Sequence, residues 1–241
     1  MSDARDDPDT FWIEPEFRAI MPLDGFRLSK SLAKTIRQDR FVVTADTAFA
    51  QVIATCAESQ ADRRDTWINP DIEDAFCRLH AQGRAHSIEC WLDGRLVGGL
   101  YGLALGRAFF GESMFSRQTD ASKVALAWLV ARLRLGGFEL LDCQFMTDHL
   151  ASLGAVEMTQ GAYLKLLEAA LTKAVQASSG LASVGAAGAA GAAGAGSGGD
   201  WGALDGALAA GALVGATSGD FSSTGASSPG KLILQALTQT S

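Results

Sequence analysis

Hydrophobic positions change period along the chain. Ser29 precedes a stretch to about Asp39 in which Leu32 and Ile36 fall on one face, so a helix capped by Ser29 is expected there. Phe41 to Thr44 reads as a strand. Asp46 is placed to cap a second helix that carries Phe49, Val52, Ile53 and Cys56 at helical spacing. Asn69-Pro70, followed by Asp71 and Glu73, opens a third with Ile72, Phe76 and Leu79 on its apolar side.

The pattern then turns to alternation and continuous apolar runs. His86 to Leu92, an Asp93-Gly94 turn, Arg95 to Leu105, a Gly106-Arg107 turn and Ala108 to Phe110 together predict an antiparallel meander. Ala121 to Arg134 is expected as an amphipathic helix ended by Gly136-Gly137, Glu139 to Phe145 as a buried strand, and Gln160 to about Val175 as a final helix. The first 26 residues read as short extended pieces, too few to fold alone and expected as a linker or the remnant of a larger N-terminal unit. Fold class is therefore mixed α/β, of the α+β kind, with the main domain over residues 27–176.

Composition changes this picture at the far end. Residues 177–229 are mostly Ala, Gly and Ser, including the repeating Gly185 to Gly194 run, and such a segment offers little large apolar surface to offset its ordering entropy. Disorder or a loose arm is expected there. The closing residues 230–241 regain amphipathic content and could dock back as a strand.

Net charge is −7 across 241 residues, so contact with a polyanion would need a local basic face. Arg27, Lys30, Lys34 and Arg37 are spaced three, four and three, which aligns them on one side of the first helix, and Arg40 extends the stripe. Cys56, Cys77, Cys90 and Cys143 form no CxxC pair and read as reduced core residues of a cytoplasmic protein. His80, His86 and His149 lack a ligand spacing, so neither a metal site nor a cofactor is expected. Outside the Ala/Gly region no charge-free run of about 18 apolar residues suggests a membrane span.

Two segments carry acids in apolar strands, to be read either as structural acids held by backbone donors or as residues of a site. Phe109-Phe110-Gly111-Glu112-Ser113-Met114 puts a carboxylate at the end of an apolar strand, and Leu140-Leu141-Asp142-Cys143-Gln144 buries one within a strand, with Gln144 two positions on.

Several segments, in order, resemble the bacterial leucyl/phenylalanyl-tRNA–protein transferase family. They are Thr66-Trp67-Ile68, Leu79-His80 with Ala85-His86-Ser87, Leu96 to Gly102, Gly111 to Ser116, Ala121-Ser122-Lys123, Asp142-Cys143-Gln144 and His149 to Ala155. The resemblance implies an N-acetyltransferase-like core and passage of Leu, Phe or Met from aminoacyl-tRNA to proteins beginning with Arg or Lys, which marks them for degradation through the N-degron pathway. It implies Asp142 and Gln144 as a catalytic pair in which Asp142 polarises Gln144, with Glu112 holding or deprotonating the acceptor amine. It also implies an aminoacyl pocket of Trp67, Leu100, Met114, Val124, Trp128, Leu129 and Leu133, and tRNA contacts by Lys30, Lys34 and Arg37. A monomer acting without a cofactor is expected. Members of the family carry a small N-terminal domain before a segment like Asp6 to Trp12, so the alternative reading is a truncated, inactive tRNA- or peptide-binding remnant.

Overall fold

The computed structural model describes residues 2, 4–58, 66–180, 198–209 and 228–238, with 173–180 described by backbone alone. The expected Gly185 to Gly194 run lies outside the described residues.

Among the described residues, seven strands form one sheet in the order β2-β3-β4-β5-β6-β1-β7. They are β1 (Phe17–Ile20), β2 (Val42–Ala45), β3 (Ala85–Leu92), β4 (Arg95–Leu105), β5 (Ala108–Ser116), β6 (Leu140–Gln144) and β7 (Val156–Thr159). The meander β3-β4-β5 follows from local signals: its first turn uses Asp93 and Gly94, both at positive φ (51° and 73°), the geometry a two-residue hairpin requires. β5 and β6 pair in parallel, joined by the crossover helix α4 (Ala121–Leu135), while every other pairing is antiparallel.

Helix starts are legible where a side chain satisfies an orphan N–H. Ser29 caps α1 (Lys30–Arg37) by accepting from Leu32 N, and Asn69 caps α3 (Pro70–Ala81) by accepting from Ile72 N, with Pro70 in the first turn. Asp46 does not cap α2 (Phe49–Cys56), whose N-cap is Ala48. The Asp46 carboxylate is drawn to His86 Nδ1 and Ser87 N, both at 2.8 Å, because two hydrogen bonds with groups of a buried strand offer a carboxylate more than a helix end.

α4 is not amphipathic. Twelve of its 15 residues are buried, since the helix lies between one sheet face and an outer layer of helices. Towards the sheet it meets Ile88, Cys90, Leu100, Phe109 and Leu141; outward it meets α1, α7 (Ala203–Ala209) and α8 (Pro229–Thr238). The opposite sheet face is covered by α2 and α3 over Tyr101 and Phe115, and, after the short α5 (Asp148–Ser152), by α6 (Gln160–Gly180) over Ile20, Ala108 and Leu140.

Three further expectations change. Phe17–Ile20, ahead of the expected main domain, is an internal strand between β6 and β7. The closing segment docks as a helix on α1 and α4, not as a strand, with Leu232, Ile233 and Ala236 buried, Ala236 lying four and three positions after the other two on one helical face. Within the Ala/Gly/Ser tract, residues 198–209 are packed. Trp201 stacks on His86 and Phe109 (4.2 and 5.5 Å between centroids), Leu204 is fully buried, and Asp205 takes two hydrogen bonds from the buried Arg132 at 2.6 and 2.7 Å. One Trp and one Leu suffice because α4 and the start of β5 already offer an apolar notch, which average composition does not reveal.

Candidate active site

The two acid segments meet where β5 and β6 run side by side. Opposite Tyr101 and Gly102 of β4, the β5 partners are Ser113 and Gly111, so Glu112 is the extra residue of a β-bulge. A bulge frees one residue from the ladder and re-aims its side chain. Here it turns Glu112 towards β6, where Gln144 Nε2 donates to Glu112 Oε2 at 3.0 Å and to Gly111 O at 3.2 Å. Glu112 therefore lies within β5 and not at its end.

Gln144 reaches that position because the strand bends. Its φ is 64°, the left-handed region that costs a residue with a Cβ roughly 1–2 kcal/mol. The conformation is held by Asp142, whose Oδ1 accepts the Gln144 backbone N–H at 2.7 Å. Asp142 thus meets Gln144 through the main chain and not through the side-chain amide.

Asp142 has no exposed surface. Its Oδ2 accepts from the Tyr163 hydroxyl of α6 at 2.7 Å and from the Arg18 guanidinium of β1. Arg18 also lies over the Tyr163 ring, 4.9 Å from its centroid. Burial alone would lower the Arg18 pKa, but the hydrogen bond and charge of Asp142 outweigh it and raise it. Burial pushes the Tyr163 phenol up, and its bond to Asp142 adds to the rise, so it stays a neutral donor. Burial likewise raises Glu112; the Gln144 hydrogen bond opposes this and the Asp142 charge reinforces it.

Beside Glu112 opens a cavity of about 120 Å³, lined by Leu100, Met114, Leu126, Leu129, Leu141, Cys143 and Leu150 among others. Ligand pockets commonly run to roughly 300–1,000 Å³, so this space suits a side chain more than a whole nucleotide. Of the expected pocket residues, Leu100, Met114 and Leu129 line it. Val124, Trp128 and Leu133 are buried in the main core around α4, and Trp67 packs half-buried in the α2–α3 cluster across the sheet. Lys30, Lys34 and Arg37 stand exposed along α1, with Arg27 and Arg40 exposed at either side.

Other polar residues in and beside the resembling segments serve the fold. Glu89, fully buried, accepts from Ser87, Thr44 and Thr47. His80 stacks on Phe49, and its Nδ1 lies 2.8 Å from Ala85 O. Burial lowers the pKa of His149, helped by Lys123.

Sequence reasoning missed Arg18 and Tyr163. Arg18 stands 124 positions from Asp142, and the available signal was a lone cation ahead of the apolar Ala19-Ile20-Met21 run; Tyr163 was an unremarked aromatic on the final helix.

The model of the leucyl/phenylalanyl-tRNA protein transferase family matches residues 20–168. A leucyl/phenylalanyl-tRNA–protein transferase of Rhizorhabdus wittichii is 59% identical over 241 residues, covering all of this chain and 92% of the relative. One from Novosphingobium aromaticivorans is 52% identical over 242 residues, covering 100% and 91%. One from Zymomonas mobilis is 64% identical over 172 residues, which is 71% of this chain and 64% of the relative. The matched span contains the bulge of Glu112, the bend at Gln144, the buried Asp142 and the apolar cavity, and on that ground the chain belongs to the leucyl/phenylalanyl-tRNA protein transferase family.

Proposed function

We propose that this chain moves leucine, phenylalanine or methionine from aminoacyl-tRNA to the N-terminus of proteins that begin with Arg or Lys, as a monomer in the cytoplasm, so marking them for degradation. The observation that carries the reading is the Glu112–Gln144 pair placed beside a side-chain-sized apolar cavity. Among the described residues, no helix is long and apolar enough to cross a membrane.

An aminoacyl ester is already activated, so the protein has to orient it, accept a proton from the acceptor and steady the developing oxyanion. The aminoacyl side chain enters the cavity between Leu100, Met114 and Leu129. The acceptor α-amine attacks the ester carbonyl carbon, a C–N bond forms, and the C–O bond to the terminal ribose breaks. Glu112, its pKa raised by burial, takes the proton that the acceptor ammonium must lose before attack and releases it to solvent; the second proton, lost from nitrogen as the amide forms, it passes to the departing ribose oxygen. Both Gln144 amide protons are engaged by Gly111 O and Glu112, which leaves its carbonyl oxygen to accept from the incoming amine. Lys30, Lys34 and Arg37 hold tRNA phosphates without reading sequence.

The test is incubation with phenylalanyl-, leucyl- or methionyl-tRNA and an Arg-initiated peptide. Phe-Arg, Leu-Arg or Met-Arg product is expected, and Asp142→Ala should abolish it. A folded wild-type chain that yields no product with any of the three would refute the proposal.

A further inference from the structure

The proposed reaction assigns work to Glu112 and Gln144 but leaves open what Asp142 is for. Its carboxylate is closed in by three donors: Gln144 N–H on Oδ1, and Arg18 and Tyr163 on Oδ2. With no exposed surface, it cannot meet an incoming amine without releasing one of them. Glu112, in contrast, lines the cavity and, among the described residues, accepts a side-chain hydrogen bond from Gln144 alone.

The donors come from three separate elements, and their placement coincides with a backbone irregularity. β1 pairs with β6 through Ala19↔Gln144 and Ile20↔Asp142, with a register shift between them that leaves Cys143 as the extra residue. The left-handed turn of Gln144 sits at that shift. Arg18 is the residue of β1 next to it, and Tyr163 supports both the guanidinium, through its ring, and the carboxylate, through its hydroxyl.

We propose, resting on the transfer reaction above, that Arg18 and Tyr163 are positioning residues: they fix the Asp142 carboxylate, which fixes the bent backbone of Gln144, which presents the Gln144 amide to Glu112 and the cleft. Neither touches substrate. Asp142 is then an anchored anion that shapes the site and takes no proton during transfer. A misplacement of about 1 Å in a reacting group can cost roughly 100-fold in rate, so loss of the anchor is felt in turnover and not in tRNA affinity.

The test compares Tyr163→Phe, Arg18→Ala and Arg18→Lys in the full chain by steady-state transfer kinetics and by amide hydrogen exchange at Gln144. Tyr163→Phe should lower kcat roughly tenfold, the size of one lost hydrogen bond to a charged group. Arg18→Ala should lower it about 100-fold, and Arg18→Lys should recover part of the loss because an ammonium still donates but lacks the guanidinium fork. KM for aminoacyl-tRNA should stay within about twofold throughout, as for groups that do not bind substrate. The Gln144 amide should exchange faster in Tyr163→Phe and Arg18→Ala. Unchanged kcat in both variants, a raised KM with kcat preserved, or unchanged exchange at Gln144 would overturn the assignment. Should Arg18→Ala not fold, Tyr163→Phe decides alone. Should the wild type transfer nothing, the proposed function falls, and exchange at Gln144 still decides whether the anchor works.

Discussion

Leu204→Ala separates two accounts of residues 198–209, a loose low-complexity arm or a part of the core. Leu204 is fully buried against α4, in the same cluster as Phe109, Phe138 and Leu133. Truncation removes three carbon atoms, worth about 2.4 kcal/mol at ~0.8 kcal/mol for each buried group. The vacated space adds a further cost. α7 has only seven residues and can settle inward, which keeps the total near the lower part of the Leu→Ala range, about 3 kcal/mol. For a chain of this size each kcal/mol moves the melting midpoint by roughly 2–4 °C, so a fall of ~6–12 °C is expected by calorimetry. Leu164→Ala is the control, being 51% exposed on α6 and expected to change stability by less than about 0.5 kcal/mol. A Leu204→Ala midpoint within 1 °C or so of wild type would refute the packed arm and restore the disorder expected from composition.

Three further outcomes follow from named contacts. Glu112 has a folded-state pKa above its ordinary 4.5, so the native state binds more protons than the unfolded chain in that window, and stability falls as pH rises from the unfolded value through the folded one. Glu112→Gln should therefore be more stable than wild type at pH 7 and no more stable at pH 3 or so, checked by urea midpoints at both; equal differences at the two would contradict the raised pKa. Gly102→Ala would place a Cβ 2.2 Å from Phe110 O and 2.4 Å from the Phe109 ring, and should cost about 2–3 kcal/mol in denaturant melts. If Lys30 and Lys34 hold phosphates, the double alanine variant should weaken tRNA binding and reduce the slope of log K against log salt by roughly 1 for each charge removed, whatever the tRNA sequence.

What the sequence determined by itself was set by neighbours along the chain. Ser29 and Asn69-Pro70 announce α1 and α3 because a cap bonds an N–H three residues on, and Asp93-Gly94 announces the β3–β4 hairpin because the turn needs two positive φ values in succession. The buried acid at Asp142, the carboxylate at Glu112 and the basic side of α1 were likewise legible as residue types out of place in their local pattern. Tertiary structure decided what those groups meet. Arg18 and Tyr163 converge on Asp142 from β1 and α6, and the bulge at Glu112 and the bend at Gln144 set the line between two side chains that sit 32 positions apart. α4 was read as amphipathic because periodicity shows one apolar face and cannot show that α7 and α8 return to cover the other. The same holds for Trp201 and Leu204, whose burial depends on a notch formed by residues far away in the chain. Local periodicity fixes which face of an element is apolar; only the closed fold fixes what that face, and each buried charge, has for a partner.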